Sequence, residues 1–355
     1  MVTIGIFGSH SAEETAVAAK RSGFETAIVC QKGREELYLK YNRFLFDHVI
    51  LLDGFKELIL PENQQKLQDL DTVFIPNRSF SVYLGHDAIE QEFNIPLYGN
   101  RKLLRIEDRS YERDQYWLMK QAGIRMPEQY TIDTIEGLAI VKVQQKHRPL
   151  ERAFFYVISR EDFENKAREL IKANIVDEKA VYNSPIEEFV IGPRFNANFN
   201  AYGCDGVFGR FDFTGFDDRV QTNLTGILNL PARDQLKINV PLKNEEIGHK
   251  GLTMRESKKP LVYRAAERFL DAVEEHFPPR HIGLFALQGA VNEDTEFVIF
   301  DISPRVPGSP CIGPTSPEMH RLSIKFKKPV VSPLDLCMFD IQQAVGDNCL
   351  DNITT

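Results

Sequence analysis

Residues 3–11 read Thr3-Ile4-Gly5-Ile6-Phe7-Gly8-Ser9-His10-Ser11. A short apolar run ends in a glycine-led polar turn, and a helix-like stretch over 12–22, closed by Gly23, follows. Strand, turn and helix in that order form the opening unit of a parallel sheet. Ser11 and Glu14 have capping-box spacing, which predicts that Ser11 caps this helix. The pattern then repeats. Residues 26–30, 49–52 and 72–76 read as strands two to four, and 62–70 and 86–93 read as helices. Buried, β-branched strands alternating with helices predict a doubly wound parallel sheet, with its ligand crevice at the carboxyl ends of the strands.

Past residue 100 the texture changes. Residues 102–122 carry a long helical pattern ended by Gly123. Residues 139–143, 153–158, 187–191, 195–202, 207–214, 285–291 and 296–302 then read as short strands. In Phe195-Asn-Ala-Asn-Phe-Asn-Ala201 apolar and asparagine side chains alternate, as on a half-buried strand. Only 161–172 and 263–276 read as helices here. The expected arrangement is an α/β domain followed by an α+β portion on antiparallel sheets. Residues 237–260 are polar and irregular, and 329–355 read as a weakly patterned tail.

Composition bounds the function. The chain has 355 residues, 43% of them hydrophobic and 26% charged, and a formal charge of −8. At about 150 residues per domain this allows two or three domains and a large core, and it excludes disorder. A net acidic chain is a poor binder of nucleic acid or anionic membrane, although small basic pockets survive that argument. No apolar run approaches the ~20 residues of a membrane span. The start lacks a signal-peptide pattern, and five scattered cysteines without CxxC spacing suggest free thiols. A cytoplasmic protein is the simplest reading.

Several places can carry chemistry. The turn at residues 8–11 offers backbone N–H groups and a helix N-terminus to an anion. His10 there is either a functional group or a loop histidine bonding a carbonyl. Gln31-Lys-Gly-Arg34 and Asn77-Arg-Ser-Phe-Ser81 follow neighbouring strands and either hold a phosphorylated ligand or are solvated loops. Lys142 inside an apolar strand either meets an anion or faces solvent from an edge. Glu187 and Glu188 either bind an amine or cation or are exposed strand-start charges. If the turn between the last two strands centres on Asp294-Thr295, Gln288 and Asp301 face each other. Such a pair suits magnesium, or simply closes the hairpin. Arg305, just beyond, is within reach of the same phosphates.

These pieces occur in a fixed order, together with Tyr98-Gly-Asn-Arg101, Thr222-Asn223, Leu230-Pro-Ala-Arg-Asp-Gln-Leu236 and Arg255-Glu-Ser257. From residue 3 to residue 328 the set resembles the archaeal PurP family, the formaminoimidazole-carboxamide ribonucleotide synthetases. The resemblance implies an α/β ATP-grasp fold. A doubly wound preATP-grasp domain would cover 1–104, a small subdomain 105–184, a large subdomain with the metal site 185–328, and a tail 329–355. It implies an ATP-dependent ligase of purine biosynthesis. Formate, ATP and AICAR (5-aminoimidazole-4-carboxamide ribonucleotide) would give FAICAR, its formylated product, through formyl phosphate. A cytoplasmic homo-oligomer is implied, with neither nucleic acid nor membrane as partner.

By the matching motifs, His10, Ser79 and His249 would contact AICAR, with His10 the catalytic candidate. Lys32 and Arg34 would add charge for the substrate. Lys142, Glu187, Glu188 and Gln221 would lie at ATP, with Arg152 and Arg305 on its phosphates. Gln288 and Asp301 match the magnesium (or manganese) positions, Asp301 replacing the usual Glu. Two segments depart from the family pattern. Residues 144–153 lack the glycines of a phosphate-covering loop, so Lys146, Arg148 and Arg152 are expected to substitute by charge. Val306-Pro-Gly-Ser-Pro-Cys311 replaces a glycine-rich stretch ending in Thr-Asn. Two other readings therefore stay open: a similar ligase with a different acid or amine, and a nucleotide-binding relative without turnover.

Overall fold

The computed structural model describes residues 2–144, 152–235, 237, 246–308 and 317–355. Its first sheet comprises β1 (Thr3–Phe7), β2 (Glu25–Gln31), β3 (His48–Leu52) and β4 (Thr72–Ile75), all parallel, in the order β3-β2-β1-β4. Alternation along β1 feeds two cores. Ile4 and Ile6 pack with Ala12, Ala16 and Ala19 of the helix Ala12–Arg21, and Phe7 packs with Phe55, Phe74 and Phe80 on the other face. Gly5 is required by close approach to β4, since a Cβ there would lie 2.6 Å from Thr72 Cγ2.

The Ser11 capping box does not form. Ser11 turns left-handed (φ 65°), and its hydroxyl donates instead to the Pro307 carbonyl at 2.9 Å. The segment after β4, read as a loop, is the helix Arg78–Leu84, with Asn77 as its cap.

The second sheet contains β5 (Gln129–Tyr130), β6 (Ala139–Gln144), β7 (Arg152–Val157) and β8 (Ile186–Glu188), antiparallel in the order β5-β8-β6-β7. Val141, Val143 and Val157 bury one face against Phe163 and Ala167 of the helix Arg160–Lys172. β8 therefore joins this sheet and not the third, although it lies beyond residue 184. The pattern over 102–122 is broken into a 3-10 segment, Arg101–Glu107, and a helix, Gln115–Gln121. Asp114 restarts the helix by accepting from the Tyr116 and Trp117 N–H groups.

The third sheet holds β9 (Arg194–Ala201), β10 (Phe211–Gln221), β11 (Glu246–Leu252), β12 (Gly283–Val291) and β13 (Phe297–Ser303), antiparallel in the order β11-β10-β9-β12-β13. β11 arises from the stretch read as irregular. One face is apolar: Ala197, Phe199, Phe216, Phe285 and Leu287 pack against Val262, Ala266, Phe269 and Val273 of the helix Lys259–His276. The helix buries residues spaced three and four apart, as an amphipathic helix does. The opposite face carries Asn196, Asn198, Asp217 and Gln288.

Residues 333–346, read as part of a tail, are a helix (Pro333–Gly346) buried on most of its surface. Ser332 and Asp335 form its capping box, with Pro333 in the first turn. Leu334, Met338 and Ile341 complete the core beneath Ile4 and Ile6. Among the described residues no helix is long and apolar enough to cross a membrane.

Candidate active site

The site begins where β1 ends. Asn77 Nδ2 donates to the carbonyls of Phe7 (3.1 Å) and His10 (2.9 Å), while its Oδ1 caps the next helix by accepting from Phe80 N. One buried asparagine thus fixes the turn that carries His10. Ser9 and Ser79 hydroxyls lie 2.8 Å apart beside it. The segment after Arg305 is stitched to the same turn: Val306 bridges to Asn77, and Pro307 accepts from Ser11. At Gly308 a Cβ would lie 2.9 Å from Glu246 Oε1, 3.0 Å from His249 Nε2 and 3.2 Å from His10 Nε2. Glycine there lets those three side chains meet.

They form a chain. His10 Nε2 is 3.2 Å from Glu246 Oε1, and His249 Nε2 is 2.9 Å from the same oxygen. His249 Nδ1 donates to Asp217 Oδ2 at 2.5 Å. Asp217 is fully buried and accepts from Asn196 (2.7 Å) and Asn198 (2.6 Å). The Arg219 guanidinium pairs with Glu246 Oε2 at 2.9 Å. Burial alone would lower the His249 pKa, but the hydrogen bonds and charges of Asp217 and Glu246 outweigh it and raise it to about 9. Burial likewise works against ionised Glu246, yet bonds from His10 and His249 and the charge of Arg219 hold its carboxyl well below the usual range.

One cross-strand row continues from this cluster: Gly251, Asp217, Asn196, Gln288 and Asp301 are successive partners across the sheet. Partners share a face. The expected facing of Gln288 and Asp301 is thus present, but through a bulge. Gly289 pairs with Ile299 and Gln288 with Asp301, so Phe300 is the extra residue. A second bulge at Ile247 puts Glu246 and His249, three apart, on one face with Arg219 and Gln221.

Around the first bulge a polar bridge reaches the second sheet. The Phe300 carbonyl accepts from Arg109 (3.2 Å) and Tyr116 (3.4 Å). Asp301 Oδ1 accepts from Gln115 (2.9 Å) and Arg109 (3.3 Å), whose guanidinium stacks 4.1 Å from the Tyr116 ring. Tyr116 also donates to Glu187 at 2.5 Å, and Glu187, almost fully buried, pairs with Lys142. Lys142 is therefore charge-matched on the sheet face turned toward Phe300, with its ammonium 5.9 Å from that ring.

The donor set of Gln288 and Asp301, one amide oxygen and one carboxylate, fits magnesium, which takes one or two protein ligands and otherwise water or phosphate. Among the described residues no group of three or more His, Cys, Asp or Glu side chains is arranged to hold a metal alone.

Other expected residues lie elsewhere. Lys32 pairs with Asp53, and Arg34 donates to Tyr83, both at the exposed rim of β2. Arg305 is buried, and its charge is matched by Glu107, which also holds Arg78. That arrangement turns Arg305 to a structural pair rather than toward phosphates. Glu188 pairs with Arg125 at 2.9 Å. Gln221 ends β10 opposite Glu246. The Arg152 backbone pairs with Gln144, but its side chain, Lys146, Arg148 and most of the 144–153 loop lie outside the described residues, as do 309–311. Sequence reasoning missed Asp217, Glu246, Arg109 and Tyr116. The asparagine alternation in β9 was the one available signal, because it marks a buried strand with a wholly polar face.

Residues 4–130 match a family described as "Protein of unknown function (DUF1246)", and residues 162–355 match "Domain of unknown function (DUF1297)". The chain is 34% identical over 309 residues to the 5-formaminoimidazole-4-carboxamide-1-(beta)-D-ribofuranosyl 5'-monophosphate synthetase of Methanocaldococcus jannaschii, covering 86% of this chain and 83% of that one. The chain belongs to this synthetase family. A solved structure of the IMP biosynthesis protein PurP from Thermococcus kodakaraensis superposes with a TM-score of 0.72 at 21% identity, covering both chains fully. The ADP complex of N5-carboxyaminoimidazole ribonucleotide synthetase follows at 0.57 and 12%, over 87% of this chain and 71% of that one. The synthetase family's architecture is thus the ATP-grasp fold, here with the doubly wound sheet placed first, as its sequence led one to expect.

Proposed function

We propose that the protein is an ATP-dependent carbon–nitrogen ligase that formylates AICAR to FAICAR, acting in the cytoplasm as a homo-oligomer. The observation that carries this reading is the juncture of His10, from the crevice of the parallel sheet, with the polar row of the third sheet, in a chain 34% identical to a synthetase named for that product. A nucleotide held along this face would have its phosphates at the Gln288–Asp301 end and the amine acceptor at the His10–His249 end. Three strand spacings of about 4.8 Å separate Asp301 from Asp217, about 14 Å in all, a span suited to a triphosphate and a second substrate.

Chemically, formate is a poor electrophile. Its oxygen attacks the terminal phosphorus of ATP, the bond to the ADP oxygen breaks, and formyl phosphate results. The exocyclic amine of AICAR then attacks the formyl carbon, phosphate leaves with the bonding electrons, and the amine loses a proton. Magnesium, when bound, neutralises phosphate charge. Lys142 and Arg109, each paired with a carboxylate, would put N–H donors near the transferring group, and His10 and Ser79 orient AICAR. Catalysis of this kind is mostly positioning and charge.

The test is ADP release by purified protein given ATP, magnesium, formate and AICAR. Release is expected only with all four present, with FAICAR identified by mass spectrometry. Calorimetric binding of AICAR without turnover would overturn the assignment.

A further inference from the structure

We propose that Glu246 is a positioning residue that fixes the tautomer of His10. The observations are geometric. A single oxygen, Glu246 Oε1, lies within hydrogen-bond range of His10 Nε2 and His249 Nε2. An ionised carboxylate is an acceptor only, so both nitrogens must carry the hydrogens. His249 has its other nitrogen on Asp217, so both of its ring nitrogens donate, and it is locked as a fixed cation. Among the described residues His10 has no such second anchor. Once Nε2–H is directed at Glu246, Nδ1 is left as the ring's acceptor.

The charges facing Glu246 agree with this division. Asp217 and Glu246 are matched by His249, from β11, and Arg219, from β10. The cluster asks His10, from the turn after β1, for a hydrogen bond and not for a charge. Gly308 closes over the shared oxygen, so no side chain of its own competes there. His10 keeps 41% of its side chain exposed, while Glu246 keeps 22% and His249 only 4%. The exposed member of the chain is the one left with an acceptor.

For the reaction this inference rests on the function proposed above. In that reaction the amine proton passes to His10 Nδ1 as nitrogen bonds to the formyl carbon and the carbon–oxygen bond to phosphate breaks. The imidazolium so formed is stabilised by Glu246. The opposite tautomer would present a donor to the amine and block the transfer.

Two measurements test it. In histidine-15N-labelled protein, with His10 assigned by comparison with His10→Gln, the neutral His10 ring should carry its proton on Nε2. Glu246→Ala should give a mixture of tautomers. Finding Nδ1–H in the unaltered protein overturns the proposal whether or not AICAR is a substrate. In steady-state assays Glu246→Ala should lower kcat about 100-fold, the scale of general-base catalysis, with KM for AICAR nearly unchanged. Glu246→Gln, which keeps an acceptor oxygen and the side-chain shape, should recover part of that loss and serves if the alanine variant does not fold. Unchanged kcat in both variants, or a loss confined to KM, overturns it. Absence of AICAR turnover in the unaltered protein instead refutes the function proposed above, and leaves the tautomer reading to be decided by the spectrum.

Discussion

His249 shows how one residue couples the site to stability. Its folded pKa, about 9, lies above the ordinary 6.5, so the folded chain holds this proton more tightly than the unfolded chain does. The stability it contributes is present in full below about pH 6.5 and is lost as pH rises through about 9. Glu246 works in the opposite sense: its lowered pKa contributes stability above its usual 4.5 that is lost in acid. We predict that the stability gap between the unaltered protein and His249→Gln, measured by urea unfolding, is largest near neutrality and narrows between pH 7 and pH 10. A gap independent of pH would show that the ring's shape, and not its charge, matters. At this scale the sequence was legible where a residue type is costly or unusual in its local context. Lys142 was found that way, His10 from its glycine-led turn, Gln288 and Asp301 from the register of one hairpin, and His249 only through the family resemblance. Asp217 and Glu246 were not found, because their significance lies in partners brought together only by the folded sheet and the turn after β1.

At the scale of elements, bulges separate what could be read from what could not. β1 was readable as a short apolar run and β9 from its alternation, and β12 and β13 from short apolar segments around a turn. A bulge resets alternation by one residue and leaves no mark in composition. Phe300 and Ile247 do so at the two ends of the site, and the second puts Glu246 and His249, three apart, on one face. The Phe300 bulge also frees backbone groups that must be satisfied. Gln115, 1% exposed, does this at the first turn of its helix: its Oε1 accepts from Ile302 N–H while its Nε2 donates to Asp301. Gln115→Ala would leave that N–H buried without a partner, at a cost of about 1–3 kcal/mol. Thermal or urea unfolding should show a loss of this size, and the variant's loss of ATP affinity should exceed that of a substitution elsewhere on the helix. The broken 102–122 pattern belongs here too: Asp114 is a helix start embedded in a stretch with helical spacing on both sides.

For the whole molecule, a parallel sheet followed by antiparallel sheets was foreseeable, while the strand orders and the destination of residues 329–355 were not. A helix apolar on nearly every side has no amphipathic period to read, and its sequence says that it is buried without saying where. It lies on the first sheet, beside the helix Ala12–Arg21, and the chain beyond it pairs Thr354 with Tyr98. Leu334→Ala, at a fully buried position, should cost about 3 kcal/mol and lower the unfolding midpoint of the whole chain rather than of a terminal piece. A separate, early transition for the C-terminal residues would contradict this. The same docking orders events during synthesis. The parallel sheet is synthesised before the helix Pro333–Gly346, so the part of its face not covered by the helix Ala12–Arg21 stays open until residues 333–346 have been made. Ile4, Ile6 and Ile28 must wait for Leu334 and Ile341. A nascent chain stalled before residue 333 would thus present a sticky, half-built domain, a natural target for a chaperone and a poor candidate for expression as an isolated N-terminal fragment.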